Sequence, residues 1–129
     1  MNLNQVTIAS TDVAKATAFY QKLGLRLIVD ALPSYVRFEC PNGEATFSIH
    51  QVETLSENNN ITLYFENEEL DTTVKELQTK GIEFTSLPED KSWKWREAHL
   101  RDLDGHHLIL YKAGENRKNP LWRIATSEE

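Results

Sequence analysis

The stretch Asn60-Ile61-Thr62-Leu63-Tyr64-Phe65, then a helical run ending at Lys80-Gly81, then a strand-like segment over 82–87, repeats a plan laid down earlier in the chain. The first copy opens with Gln5-Val6-Thr7-Ile8-Ala9, runs through a helical segment to Leu23-Gly24 and continues as a strand over 25–30. Two more strand-like runs follow in each copy, so residues 3–50 and 60–112 both read strand, helix and three strands. An internal repeat of about 50 residues signals a fold built by pairing like units. The fold class is therefore α+β: two tandem βαβββ modules whose mixed sheets face each other and enclose a cleft. Both modules, with a C-terminal extension over 113–129, form one domain spanning 1–129.

The bulk numbers narrow the function classes. The chain has 129 residues, enough for one compact domain with a real core. A net charge of −6 lacks the basic footprint of a general nucleic-acid binder. The lone cysteine, Cys40, excludes an internal disulfide framework. The start, Met-Asn-Leu-Asn-Gln-Val, lacks the basic and apolar regions of a signal peptide. No apolar run approaches the ~20 residues of a membrane span. These readings predict a cytoplasmic protein with no membrane or nucleic-acid partner.

Local signals mark the elements. Thr11 or Asp12 caps the first helix, and Gly24 supplies its left-handed stop. Between them Val13, Ala16, Phe19, Tyr20 and Leu23 form an apolar stripe. Leu70, Val74 and Leu77 form the equivalent stripe, with Gly81 as the stop and Glu68-Glu69 serving the helix dipole. Pro41-Asn42-Gly43 joins strands over 35–40 and 44–50, and Asp102-Leu103-Asp104-Gly105 joins strands over 95–101 and 106–112. Residues 52–59 read as a linker, 88–92 as a polar loop, and the last few residues as disordered. Trp93 and Trp122 read as interface anchors.

Alternation along each strand separates a helix-facing side from its opposite. The opposite side collects Gln5, Thr7, Tyr35, Arg37, Ser48 and His50 from the first copy. From the second it collects Thr62, Tyr64, Trp95, Glu97, His99, His107 and Tyr111. A polar, aromatic face suits either solvent or a ligand cleft. The gathering of Tyr35, Tyr64, Trp95 and Tyr111 favours the cleft. Cys40 and Ile61 fall on the helix-facing side, Arg96 points away from the cleft, and His106 reads as a surface residue.

Two segments carry a family likeness: Asp12 with Ala18-Phe19-Tyr20-Gln21-Lys22-Leu23-Gly24-Leu25, and Asp102-Leu103-Asp104-Gly105-His106-His107-Leu108-Ile109-Leu110. With the repeat, they make residues 3–112 resemble the vicinal oxygen chelate superfamily of glyoxalase I, bleomycin-resistance proteins and extradiol dioxygenases. The resemblance implies a fold, and it leaves open lyases, isomerases, dioxygenases, thiol transferases and binders. In metal-dependent members, ligands sit on the first and last strands of each copy. Carried over by position, these sites fall on Gln5, His50, Asn60 and Ile109. Gln5 and His50 are the candidate metal ligands, for a zinc, nickel, iron or manganese ion. Asn60 is a poor donor to a transition metal, and Ile109 cannot coordinate at all.

The resulting expectation is a small-molecule-binding protein of the glyoxalase/bleomycin-resistance type, which the resemblance implies works as a homodimer. Tyr35, Tyr64, Trp95 and Tyr111 stack on a small organic ligand, and His50, Glu97 and Arg37 orient it. His50 and Glu97 are also the candidate catalytic acid–base pair. Against that role, each would simply pair with a neighbouring charge such as Arg37 or Arg101. The competing class is a divalent-metal-dependent lyase, isomerase or dioxygenase using Gln5, His50 and a nonstandard carboxylate.

Overall fold

The computed structural model describes residues 1–125. The expected disorder of the chain end falls on 126–129, outside the described residues. The element order is β1 (Gln5–Ser10), α1 (Val13–Leu23), β2 (Arg26–Ala31), β3 (Tyr35–Glu39), β4 (Thr46–Gln51), β5 (Thr62–Glu66), α2 (Leu70–Thr79), β6 (Ser86–Asp90), β7 (Arg96–Arg101), β8 (His107–Lys112) and a 3₁₀ turn over Gly114–Asn116. The strands form two four-stranded sheets, ordered β1-β4-β3-β2 and β5-β8-β7-β6. In each, the first strand runs parallel to the last: Val6 pairs with Phe47, and Leu63 with Leu108. The βαβββ plan is thus realised twice.

By contacts the chain divides into two compact units. The first comprises Met1–Ile61 and the turn Arg101–His106, and the second Thr62–Leu100 with His107 onward. In the first, α1 buries Val13, Ala16, Phe19 and Tyr20 against Phe38, Phe47 and Ile49. In the second, Leu70, Val74 and Leu77 of α2 are buried, as are Ala98, Leu100, Leu108 and Leu110 of its sheet.

The two helices stop in the same way. Gly24 N–H donates to Gln21 O and Leu25 N–H to Tyr20 O, while Gly81 N–H donates to Gln78 O and Ile82 N–H to Leu77 O. Each pair closes the last turn over a left-handed glycine, with φ of 106° at Gly24 and 88° at Gly81. The starts differ. Asp12 accepts from Lys15 N–H at 3.1 Å, whereas Glu69 makes no side-chain cap bond and its own N–H is held by Asn67 Oδ1 at 2.8 Å.

That second stop shifts β6. The sequence suggests a strand over 82–87 followed by a loop, but the strand is Ser86–Asp90. The Ile82 amide is consumed in the helix cap, and Ile82 is buried there. Pairing with β7 therefore begins only at Ser86, opposite His99. Pro88 is accommodated because β6 is an edge strand whose register slips between Ser86 and Glu89. Ile61 also departs from expectation. It precedes β5 with its N–H held by Asn59 Oδ1, and it is exposed rather than helix-facing. Cys40 is half-buried, and burial raises its thiol pKa, which keeps it a poor nucleophile.

Candidate ligand-binding site

On the first sheet the polar face centres on Ser48, fully buried on β4. Gln5 Nε2–H donates to Ser48 Oγ at 2.8 Å, and the hydroxyls of Thr7 and Ser48 share a 2.6 Å hydrogen bond. The Thr46 hydroxyl donates to Gln5 Oε1. Tyr35 and Arg37 complete the group from β3: Arg37 Nε–H donates to Tyr35 Oη at 2.9 Å, and the guanidinium carbon lies 5.5 Å from the tyrosine ring centre. The Tyr35 phenol is held below its ordinary pKa, chiefly by hydrogen bonding with Ser48, with Arg37 and Gln5 adding to the effect against a smaller burial penalty. Hydrogen bonds among these side chains satisfy the face internally.

His50 stands apart from that network. It is exposed at the end of β4, in register with Ala9 on β1 and Tyr35 on β3. Gln5 pairs with Thr46, four register positions from the Ala9–His50 pair. At 3.3 Å per residue that is roughly 13 Å along the strands. Two ligands of one ion each lie only about 2 Å from it, so Gln5 and His50 do not converge on a common metal within this unit. The amide of Gln5 is also committed at both ends, to Ser48 and Thr46. Among the described residues, no three of His, Cys, Asp and Glu cluster in a way that holds a metal, and no buried side-chain nitrogen or oxygen lacks a partner. The donor set does not fit a divalent ion.

The second sheet presents two zones on its corresponding face. One is aromatic. Trp95 and Tyr111 stack at 4.6 Å between ring centres with an 18° tilt, and Tyr64 meets both edge-on, at 5.9 Å and 5.8 Å. Trp95 Nε1–H donates to Asn116 O at 3.1 Å, so the 3₁₀ turn after β8 fixes the indole. Tyr111 is buried over Ile109 and Ala113, whereas Tyr64 is 52% exposed. Burial, followed by the Glu66 charge, raises the Tyr111 phenol pKa. A cavity of about 600 Å³ borders Trp95 and is otherwise lined mainly by Lys91, Lys94, Arg96, Lys112 and Asn116.

The other zone is a hydrogen-bonded chain. Glu97 is buried at 3% exposure. It accepts from Trp93 Nε1–H at 2.8 Å and lies 2.9 Å from His99 Nε2. His99 Nδ1 lies 3.0 Å from His107 Nε2, and His107 Nδ1 lies 3.3 Å from Thr62 Oγ1. Glu97 therefore has histidine and tryptophan partners. Arg96, one position along, points to the helix side and is held by Asp71 and Asp90.

The turn between β7 and β8 is more than a loop. Asp102 Oδ1 accepts from the backbone N–H of Asp104 and His106, and Oδ2 accepts from the buried Tyr20 hydroxyl at 2.5 Å. His106, expected at the surface, is buried at 7% exposure. Its Nε2 bonds Ala9 O at 2.8 Å and its Nδ1 bonds the Asn59 side chain at 2.5 Å. Position in a polar turn hides this, because the burial comes from sequence-distant partners.

A family model described as the Glyoxalase/Bleomycin resistance protein/Dioxygenase superfamily matches residues 2–110. The Bacillus subtilis (strain 168) protein YraH, described as uncharacterized, is 30% identical over 128 residues, covering 87% of this chain and 98% of the relative. Among solved structures, a glyoxalase/bleomycin resistance protein/dioxygenase from Nocardioides superposes with a TM-score of 0.75 at 20% identity, covering 97% of this chain and 90% of that one. A lactoylglutathione lyase from Agrobacterium tumefaciens gives 0.72 at 17% identity, covering 95% and 97%. At such identities the structural likeness carries the fold alone. Among the described residues no helix is long and apolar enough to cross a membrane.

Proposed function

Because the chain belongs to the glyoxalase/bleomycin resistance protein/dioxygenase superfamily, we propose that it is a small-molecule-binding protein whose ligand rests against the rings of Tyr64, Trp95 and Tyr111. One observation carries this reading: a pre-stacked Trp95–Tyr111 pair with the half-exposed Tyr64 set across it, in which Trp95 also borders a cavity of about 600 Å³ lined otherwise mainly by cationic side chains. Ligand pockets are of that size and combine apolar rings with a few polar groups. A stack already formed loses little conformational freedom on binding. Glu97 and its histidine partners orient the ligand there. On the first unit, Tyr35, Arg37 and His50 form a separate candidate surface, to be read by its own variants. The protein acts as a cytoplasmic homodimer.

Quenching of tryptophan fluorescence by a panel of small aromatic compounds tests the reading. Trp95→Ala is expected to weaken the best binder by about tenfold or more, the scale of a lost aromatic anchor. Unchanged affinity in that variant would remove the proposal. Gel filtration reads the dimer.

A further inference from the structure

We infer that the His107 edge of the second sheet is a proton-accepting subsite for a planar small molecule bearing a weakly acidic hydroxyl, of the phenol or enol class. This rests on the binding reading above and names its ligand class. The direction of the hydrogen bonds carries it. An indole N–H only donates, so Trp93 fixes Glu97 Oε2 as an acceptor. The other carboxylate oxygen faces His99 Nε2, which therefore carries its hydrogen. A neutral His99 is then an acceptor at Nδ1, and His107 Nε2 facing it at 3.0 Å must be the donor. His107 is left as an acceptor at Nδ1, where Thr62 Oγ1–H donates. Residues on β5, β7 and β8 thus set one tautomer in each histidine, and the accepting end of the chain lies at the half-buried Thr62 and His107.

The rest of the face suits a ring. Thr62 and Tyr64 are two residues apart on β5, roughly 7 Å. His107 and Tyr111 bracket Ile109 on β8 in the same order. A single ring set against Tyr64 thus directs a hydroxyl toward Thr62. As the ligand O–H proton passes to Thr62 Oγ1, the Thr62 proton passes to His107 Nδ1 and the His107 Nε2 proton to His99 Nδ1. The ligand is left an oxyanion and His99 an imidazolium against the Glu97 carboxylate. Only O–H and N–H bonds change, and no co-reactant is needed. The other ionisable groups on this side are Tyr64 and Glu66 on β5, Glu89 opposite Glu97 on β6, Arg101 on β7, engaged by Gly105 O, and Tyr111 on β8.

Two measurements on the full chain test this. Nitrogen-15 NMR of the ligand-free protein is expected to find both His99 and His107 as Nε2–H tautomers, with Glu97→Gln releasing His99 into a mixture. 4-Nitrophenol serves as the probe at about pH 6, near the histidine range, where the free probe is mostly protonated. Wild type is expected to raise the yellow phenolate band, and His107→Gln to abolish the rise and weaken binding by about tenfold. A phenolate band unchanged by His107→Gln, or an Nδ1–H tautomer at His99, overturns the inference. A probe that quenches tryptophan fluorescence but stays protonated overturns it while the binding reading stands. Failure of every aromatic probe to bind sinks both.

Discussion

The two sheets share topology, helix stops and the same alternation, yet their polar faces are built differently. In the first, Gln5, Thr7, Tyr35, Arg37 and Ser48 bond one another, and the hub, Ser48, is fully buried. In the second, three rings pack together, one of them, Trp95, bordering a cavity, and a buried carboxylate heads a hydrogen-bonded pair of histidines. Short hydroxyl and amide side chains satisfy each other at hydrogen-bond distance, so the Gln5, Thr7 and Ser48 group has little capacity left for a ligand. Rings cannot do this, and the half-exposed Tyr64 keeps ring surface available for stacking while Tyr111 is buried against Trp95. A duplicated module can thus keep one face for stability and the other for recognition.

The largest effect expected is at Trp95. Trp95→Ala removes the stack on Tyr111 and the bond to Asn116 O. Because the indole is only partly buried, the loss should fall at or below the low end of the range for tryptophan truncation, about 3 kcal/mol in urea unfolding. Ligand quenching should fall with it. If Trp95→Ala cost stability and left binding intact, the second face would be structural like the first.

Next comes the buried Tyr20–Asp102 bond in the first unit. Tyr20→Phe leaves Asp102 Oδ2 without its hydroxyl donor, at a cost of about 2 kcal/mol. It also carries a pH signature. Burial first, and the Asp102 charge second, push the Tyr20 phenol far above its ordinary value. The fold therefore holds this proton more tightly than the unfolded chain does. The stabilisation is complete below about pH 10 and is lost as pH rises beyond it, by up to ~1.4 kcal/mol per unit for one proton. Urea unfolding of wild type should show that alkaline decline, and Tyr20→Phe should flatten it. Binding at the second face should not move.

Ser48→Ala should cost less, about 1–2 kcal/mol, since Gln5 keeps its bond from Thr46. Its more specific reading is spectroscopic. Ser48 is the leading cause of the lowered Tyr35 pKa, so the variant should move Tyr35 titration upward in a tyrosinate absorbance curve. Aromatic ligand affinity should stay at wild-type level. A loss of binding in Ser48→Ala would show that the first face also recognises the ligand, and the contrast between the sheets would fall.

The make-up of the second face was legible in alternation alone, whereas the contrast was not, because alternation grouped Tyr35 with the other rings and His50 with Glu97. Period two placed Tyr64, Trp95 and Tyr111 together, and His99 with His107, on one side, and the duplication supplied the topology. The partners were not legible, because they depend on register. Gln5 meets Ser48, not His50, since β1 pairs with β4 at Gln5–Thr46 and the amide reaches diagonally. The histidine pair had a signal: equal parity on either side of the Asp102–Gly105 turn brings positions 99 and 107 near one another across a hairpin. His106 had none, because its burial depends on Ala9 and Asn59, far off in sequence. The delayed start of β6 follows from a helix cap that takes the Ile82 amide, a competition no strand pattern records.

The smallest effect tests whether the turn beside the aromatic zone is itself strained. Lys94 sits between β6 and β7 with φ of 70°, a left-handed conformation that a side chain disfavours. Its N–H donates to Lys91 O and the Lys91 N–H to Trp95 O at 2.7 Å, so the turn that presents Trp95 closes around it. Lys94→Gly removes the steric penalty of about 1 kcal/mol and adds unfolded-chain freedom of similar size, leaving a gain of only a few tenths in urea unfolding. Lys94→Val sharpens the point, because a β-branched residue resists this conformation most and should lower stability by about 1–2 kcal/mol. If Lys94→Val instead matched wild type in stability and in quenching by aromatic probes, the turn would not hold Trp95 in place. The stack would then owe its position to Tyr111 and Asn116 alone.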